Sequence, residues 1–166
     1  LAGDPREVRF DRGPDGKPRL AADHASSLRF NLSHSHGHAL LAVAPGLEVG
    51  VDIEAIRPRP HWRAIARRFF HADEVARLEP LDPEVGYERF VEMHAQKEAV
   101  AKALGFGLAR TFRRFSVPDA VAPEKPARVV LPEDLAERRD WGLVELRASP
   151  RGYRAALCAE GTNWRV

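Results

Sequence analysis

Apolar positions along the chain follow two different periods. From Leu28 the segments LRFNL, ALLAVA and LEVGVDIEAI have the dense, alternating apolar character of strands, separated by SHSHGH and by the turn at Pro45 and Gly46. RPRP at residues 57–60 then ends strand pairing. HWRAIARRFF places Trp62, Ile65, Ala66 and Phe69 at helical spacing, and HADEVARLE predicts a second short helix with Asp73 and Glu74 in its first turn. The longest helix is predicted over residues 84–104, a stretch without proline that stops at Gly105, a natural C-terminal cap. Phe90, Met93, Lys97 and Val100 share one broad side of it. Beyond it GFGLARTFRRFSVP predicts a loop and a strand, followed by strands in ARVVL, WGLVELRAS and GYRAALCAE. The first 27 residues, with RGPDGKPRL, predict a turn-bearing connection. The expected fold class is α+β: a mostly antiparallel sheet packed against one long helix and several short ones.

Composition narrows the function. A chain of 166 residues suits one domain, or one full lobe plus part of another, and 44% apolar residues suffice for a core. The net charge of +2 gives no signal for nucleic acid and leaves mild room for acidic partners. One cysteine, Cys158, excludes an internal disulfide framework and suits a reducing compartment. No run of about 18 apolar residues points to a membrane span, so a cytoplasmic location is expected. The chain begins with Leu, as a fragment, a processed form or a numbering that starts late would.

Within this pattern GVDIE, residues 50–54, raises a question of charge. On a strand Asp52 and Glu54 project to the same side, while Val51 and Ile53 face the opposite layer. Two neighbouring anions in an apolar segment need a compensating cation. On the long helix Glu98 and Lys102 lie one turn apart, with His94 a turn earlier. If that helix crosses the strand, Asp52, Glu54 and Glu98 converge, and hard oxygen ligands of this kind select Mg²⁺ or Mn²⁺. Lys102 and Lys97 would then neutralise phosphate charge, which points to chemistry on a diphosphate. The same spacing also describes an ordinary surface ion pair between Glu98 and Lys102.

FNLSHS at 30–35, GVDIE at 50–54 and KEAVAKALGFGL at 97–108, in this order, resemble the 4′-phosphopantetheinyl transferases of the surfactin-synthetase-activating type. GKP at 16–18 and RFF with its acidic helix at 68–74 extend the resemblance over roughly residues 7–117. It implies transfer of the phosphopantetheine arm of coenzyme A to a serine hydroxyl of an apo acyl or peptidyl carrier protein, with release of adenosine 3′,5′-bisphosphate, in fatty-acid, polyketide or nonribosomal-peptide synthesis. It implies Asp52, Glu54 and Glu98 as metal ligands, and Lys102 on the phosphates with Lys97 beside it. It also implies His34 on the 3′-phosphate, and Ser33, Lys17 and Pro18 around the nucleotide. Glu98, directly or through a water, is the candidate base for the serine proton, with Lys102 as the second catalytic group.

The resemblance has departures. His94 stands where the family pattern has tryptophan, and reads as a core or partly exposed histidine with a proton relay conceivable. His34, His36 and His38 alternate, so on a strand they would form a one-sided row able to bind zinc, but the segment includes Gly37 and reads as a loop, which favours His34 as a phosphate contact with the other two solvated. The family is usually pseudo-symmetric with two lobes. Here residues 1–45 are expected to be a remnant of the N-terminal lobe carrying the SHS segment, that lobe being largely absent, and residues 46–166 the C-terminal lobe with the metal site. Arg57, Arg59, Arg63, Arg67 and Arg68 form a basic cluster suited to the acidic helix of a carrier protein, or an ordinary solvated helix face. Phe69 and Phe70 are expected in the core. A homologue that binds coenzyme A or a carrier protein without turnover is the alternative function.

Overall fold

The computed structural model describes residues 4–13, 16–105, 112–123, 125–136, 139–147 and 150–166. Where a plain connection was expected, β1 (Phe10–Arg12) and β2 (Pro18–Leu20) form a small antiparallel hairpin. β3 (Leu28–Ser35) and β4 (His38–Pro45) form a second, in register from Leu28 opposite Pro45 to Ser35 opposite His38. SHSHGH is therefore mostly strand, and its turn is His36–Gly37, both at positive φ (43° and 85°), the conformation that two-residue hairpins require. This removes the one-sided histidine row. His34 lies opposite Ala39 on one face, His38 lies opposite Ser35 on the other, and His36 occupies the turn.

The main sheet is fully antiparallel in the order β5-β8-β7-β6, from β5 (Val49–Ala55), β8 (Tyr153–Glu160), β7 (Trp141–Glu145) and β6 (Ala127–Arg128). Two short helices, α1 (Trp62–Phe69) and α2 (Ala72–Leu78), precede α3 (Pro83–Leu104), and α4 (Glu133–Ala136) is a single turn. Asp82 caps α3 by accepting from the Glu84 N–H, Pro83 opens it, and Gly105 closes it at φ 77°. The α+β expectation is met. The strand predicted after α3 falls partly on residues 106–111, which, with the FGL end of the helix motif, lie outside the described residues; within the described part Phe112–Arg114 is a short 3₁₀ turn instead.

α3 packs across β5 and β8, and the core forms around it from Phe90, Met93, Val100, Leu143 and Cys158, closed by Trp62, Phe70 and Leu78 of the short helices. Phe70 takes the core place expected of both phenylalanines. Phe69 is 39% exposed, because the helix ends there and turns its ring outward under Arg68.

Contact between strand and helix depends on Gly50. A Cβ there would lie 2.2 Å from the Ala99 carbonyl oxygen and 2.3 Å from the Ala103 nitrogen, both backbone atoms that no side-chain rotation can move. The small residues Ala95, Ala99 and Ala103, four apart on α3, complete this close approach. Gly50→Ala is predicted to destabilise the fold by about 3 kcal/mol or more, the upper range for overpacking. Chemical denaturation measures it, and an unchanged midpoint would contradict this account of the packing.

Candidate active site

Among the described residues β5 pairs with β8 along one edge only. Its other edge is satisfied by side chains rather than by a backbone ladder. Asn31 Oδ1 accepts from the Val51 N–H (2.9 Å), Ser33 Oγ from Ile53 (3.4 Å) and Ser35 Oγ from Ala55 (3.2 Å). Alternate residues of β3 thus meet alternate amides of β5, which is why Asn31, Ser33 and Ser35 are buried while Leu32 and His34 are exposed. An edge that would otherwise invite pairing is closed.

Ser33 also reaches the charges. Its hydroxyl donates to Asp52 Oδ1 (2.7 Å), and Lys102 Nζ donates to Ser33 Oγ (3.0 Å), to Asp52 Oδ1 (2.7 Å) and to the Val51 carbonyl (3.3 Å). Lys102 and Asp52, 50 residues apart, are therefore joined across the strand–helix contact that Gly50 permits. Asp52 Oδ2 is buried and has no hydrogen-bond partner among the described residues.

The remaining groups gather beside Asp52. Ligand atoms of Asp52, Glu54 and His94 all lie within 4.8 Å of one another. His94 Nδ1 is 3.4 Å from Glu54 Oε1, and His94 Nε2 is 3.9 Å from Glu98 Oε1. Burial, then the Asp52 carboxylate, push Glu98 up to about 7. Burial also raises Asp52, by more than Lys102 and Ser33 lower it. For Glu54 burial acts upward too, but His94, Arg59 and Lys102 outweigh it and hold the carboxyl below its ordinary range. Asp52 and Glu54 thus meet at ligand spacing with His94, whereas Glu98 is not in that close set and is tied to it through His94 and through the charge of Asp52 and Glu54; Lys102 meets only part of the negative charge. The donor set fits a hard divalent cation.

Two predicted contacts have other duties. Lys97, expected on the phosphates, is fully buried: its ammonium pairs with Glu74 Oε2 (2.8 Å), donates to the Phe115 carbonyl (2.7 Å) and lies 4.2 Å from the centre of the Phe115 ring. It points into the core between the Phe70, Phe112 and Phe115 rings, and burial lowers it to about 8 against the pull of Glu74. Glu74 is held in turn by the His71 and Val117 amides. Lys17 donates to Glu48 (2.8 Å), the Val49 carbonyl (3.0 Å) and the Ala103 carbonyl (3.3 Å), tying the first hairpin to β5 and to the end of α3. Pro18, next to it, begins β2. A cleft of about 680 Å³, lined among others by Lys17, Arg19, Arg29, Glu48 and Gly105, opens at the last turn of α3, one residue beyond Lys102.

In the basic cluster, Arg63 stacks on Trp62 and donates to the Leu81 carbonyl, and Arg67 pairs with Glu79, so both are committed within the fold. Arg57, Arg59 and Arg68 are exposed. The approach of His94 to ligand range of Asp52 and Glu54, and the true place of Ser33, are what sequence reasoning missed. A strand with polar residues at every second position was the available signal for Ser33.

The model of the 4′-phosphopantetheinyl transferase superfamily matches residues 48–158, a span holding Asp52, Glu54, His94, Glu98 and Lys102. The chain belongs to that superfamily. It is similar to the 4′-phosphopantetheinyl transferase HetI of Nostoc sp., at 34% identity over 165 residues, 99% of this chain and 65% of that protein. It is also similar to the 4′-phosphopantetheinyl transferase AcpT of Escherichia coli, at 40% identity over 93 residues, 56% of this chain and 47% of that protein. The crystal structure of Thermotoga maritima holo-[acyl-carrier-protein] synthase matches 70% of this chain and 64% of its own at 20% identity, with a TM-score of 0.47. The chain thus spans about half to two-thirds of the length of these curated relatives. No helix among the described residues is long and apolar enough to cross a membrane.

The raised Glu98 predicts how this transferase-superfamily chain responds to pH without metal. Between about 4.5 and about 7 the folded chain keeps a proton on Glu98 that the unfolded chain has released, so stability falls as pH rises through that window. The loss spans up to about 3 kcal/mol. Denaturation curves in chelator across the window are expected to show the slope in the native chain and a flatter one in Glu98→Gln. Parallel slopes would contradict the assignment.

Proposed function

We propose that the protein transfers the 4′-phosphopantetheine group of coenzyme A to a serine of an apo acyl or peptidyl carrier protein. The observation that carries this reading is the buried, unpartnered Asp52 Oδ2 amid Glu54, Glu98 and Lys102, inside the span that marks the superfamily. Asp52, Glu54 and Glu98 would hold Mg²⁺ or Mn²⁺, which when bound supplies positive charge for the diphosphate oxygens.

In the reaction the serine oxygen forms a bond to the β-phosphorus, and the bond from that phosphorus to the bridging oxygen breaks. Adenosine 3′,5′-bisphosphate leaves with the electron pair. Such a displacement needs charge neutralisation and alignment more than covalent help. Lys102, with its side chain 29% exposed, is placed to follow charge onto a phosphate oxygen while Ser33 keeps Asp52 in position. Glu98, directly or through a water, is the candidate to accept the serine proton. The basic cleft past Lys102, with Arg19 and Arg29 at its wall, suits the nucleotide phosphates. His34, exposed on the outer face of β3, would meet the 3′-phosphate only from that side. Exposed Arg57, Arg59 and Arg68, with Phe69, offer the docking surface for an acidic carrier helix.

Incubation with coenzyme A, Mg²⁺ and an apo carrier protein, followed by intact-mass measurement of the carrier, tests the reading. The native chain should add one phosphopantetheine. Asp52→Asn and Glu98→Gln should each slow labelling by about a hundredfold or more while keeping the fold. Near-native labelling by either variant would refute the site, and coenzyme A binding without any labelling by the native chain would favour the non-turnover homologue.

A further inference from the structure

His94 places an imidazole among the carboxylates where an all-oxygen centre would suffice. Its ring is fixed on one side by Phe70, Phe90 and Phe112, with ring centres 6.4, 6.0 and 5.8 Å away, so its nitrogens turn toward the acids. Nδ1 faces Glu54 Oε1 at 3.4 Å, and the three groups Asp52, Glu54 and His94 all reach within 4.8 Å of one another. Ligands around a cation of Mg²⁺ or Mn²⁺ size stand roughly 3 Å apart when adjacent and roughly 4 Å when opposite, given bonds near 2.1 Å. The cluster is already close to those spacings. A carboxylate oxygen and an imidazole nitrogen so near each other need positive charge between them, a proton in the metal-free protein or a cation in the loaded one. The shorter contact, Nδ1 to Glu54, holds a proton in the metal-free protein; a cation at Nδ1 would take that proton's place and leave the N–H on Nε2, on the side of Glu98 3.9 Å away. The second pointer to a ligand is Asp52 Oδ2, buried and unpartnered on a side chain only 5% exposed.

From this geometry we infer that His94 enters the cation's coordination shell through Nδ1 and tilts the site toward Mn²⁺ and other nitrogen-accepting divalent ions over Mg²⁺. Imidazole suits the borderline first-row metals, whereas Mg²⁺ prefers oxygen. The inference rests on the reading of this cluster as a cation site, but not on turnover.

The test uses the full chain and Mn²⁺ alone. Pulsed electron paramagnetic resonance of the Mn²⁺-loaded protein should show modulation from a ligated ¹⁴N nucleus, and that signal should vanish in His94→Gln and in His94→Asn. Asp52→Asn should abolish the bound Mn²⁺, which separates this site from the exposed histidines of the β3–β4 hairpin. Titration should show His94→Gln losing about tenfold or more in Mn²⁺ affinity, with Mg²⁺ affinity changed far less. Bound Mn²⁺ without nitrogen modulation overturns the inference, as does failure of the native chain to bind Mn²⁺ at millimolar concentration. If carriers are labelled but no nitrogen signal is found, the inference fails and the transferase reading stands. A nitrogen signal without labelling sinks the transferase reading and leaves the inference intact.

Discussion

The ion pair between Lys102 and Asp52 depends on how close two backbones can come. β5 and α3 touch at Gly50, where even one methyl group would strike the Ala99 carbonyl and the Ala103 nitrogen. That contact brings Lys102 within 2.7 Å of Asp52 and leaves Glu98, one turn earlier on α3, beside the strand acids. A wider separation would move the helix charges out of range and leave Asp52 buried with less compensation, which costs several kcal/mol per buried charge. Packing density and electrostatics are thus one constraint: small residues set the distance, and the distance sets the chemistry.

β3 supplies the second half of the arrangement. Because β5, among the described residues, has a backbone partner on one side only, its outward amides are met by Asn31, Ser33 and Ser35. Ser33 is common to this side-chain ladder and to the charged centre, so a displacement of the hairpin is felt at Asp52 and Lys102 together. The other charged pairs nearby serve the scaffold. Glu74 and Lys97 lock α2, α3 and the segment around Phe115, while Glu48 gathers Lys17 and Arg29 at the end of α3. A partnered, fully buried lysine of this kind holds structure and does not reach a ligand.

Much of this was legible in the chain. The long proline-free stretch ending in Gly105 is α3 nearly to the residue, and the alternation in GVDIE set Asp52 and Glu54 on one side of β5, which the contact at Gly50 shows to be the side facing α3. Helical spacing likewise put His94, Glu98 and Lys102 on one face. Lys97 was misread because adjacent helix positions differ by about 100° in direction, and only the position of Glu74, far away in sequence, decides that its ammonium turns inward. SHSHGH, expected as a loop, is mostly strand, because a two-residue turn at His36–Gly37 extends both strands and divides the imidazoles between faces. Phe69 and Phe70 could not be told apart while the last residue of α1 was unknown. In each case the deciding fact was a long-range partner or a turn conformation, neither of which local periodicity encodes.

The central claim is that carboxylates from β5 and α3 jointly bind one divalent cation. Anomalous diffraction from crystals grown with Mn²⁺ tests it most directly. The account predicts a single strong peak bounded by Asp52, Glu54 and Glu98, at bonding distance from Asp52 Oδ2. A peak elsewhere with none at this position, or a Glu98 carboxylate turned away from a metal held by other residues, would contradict it.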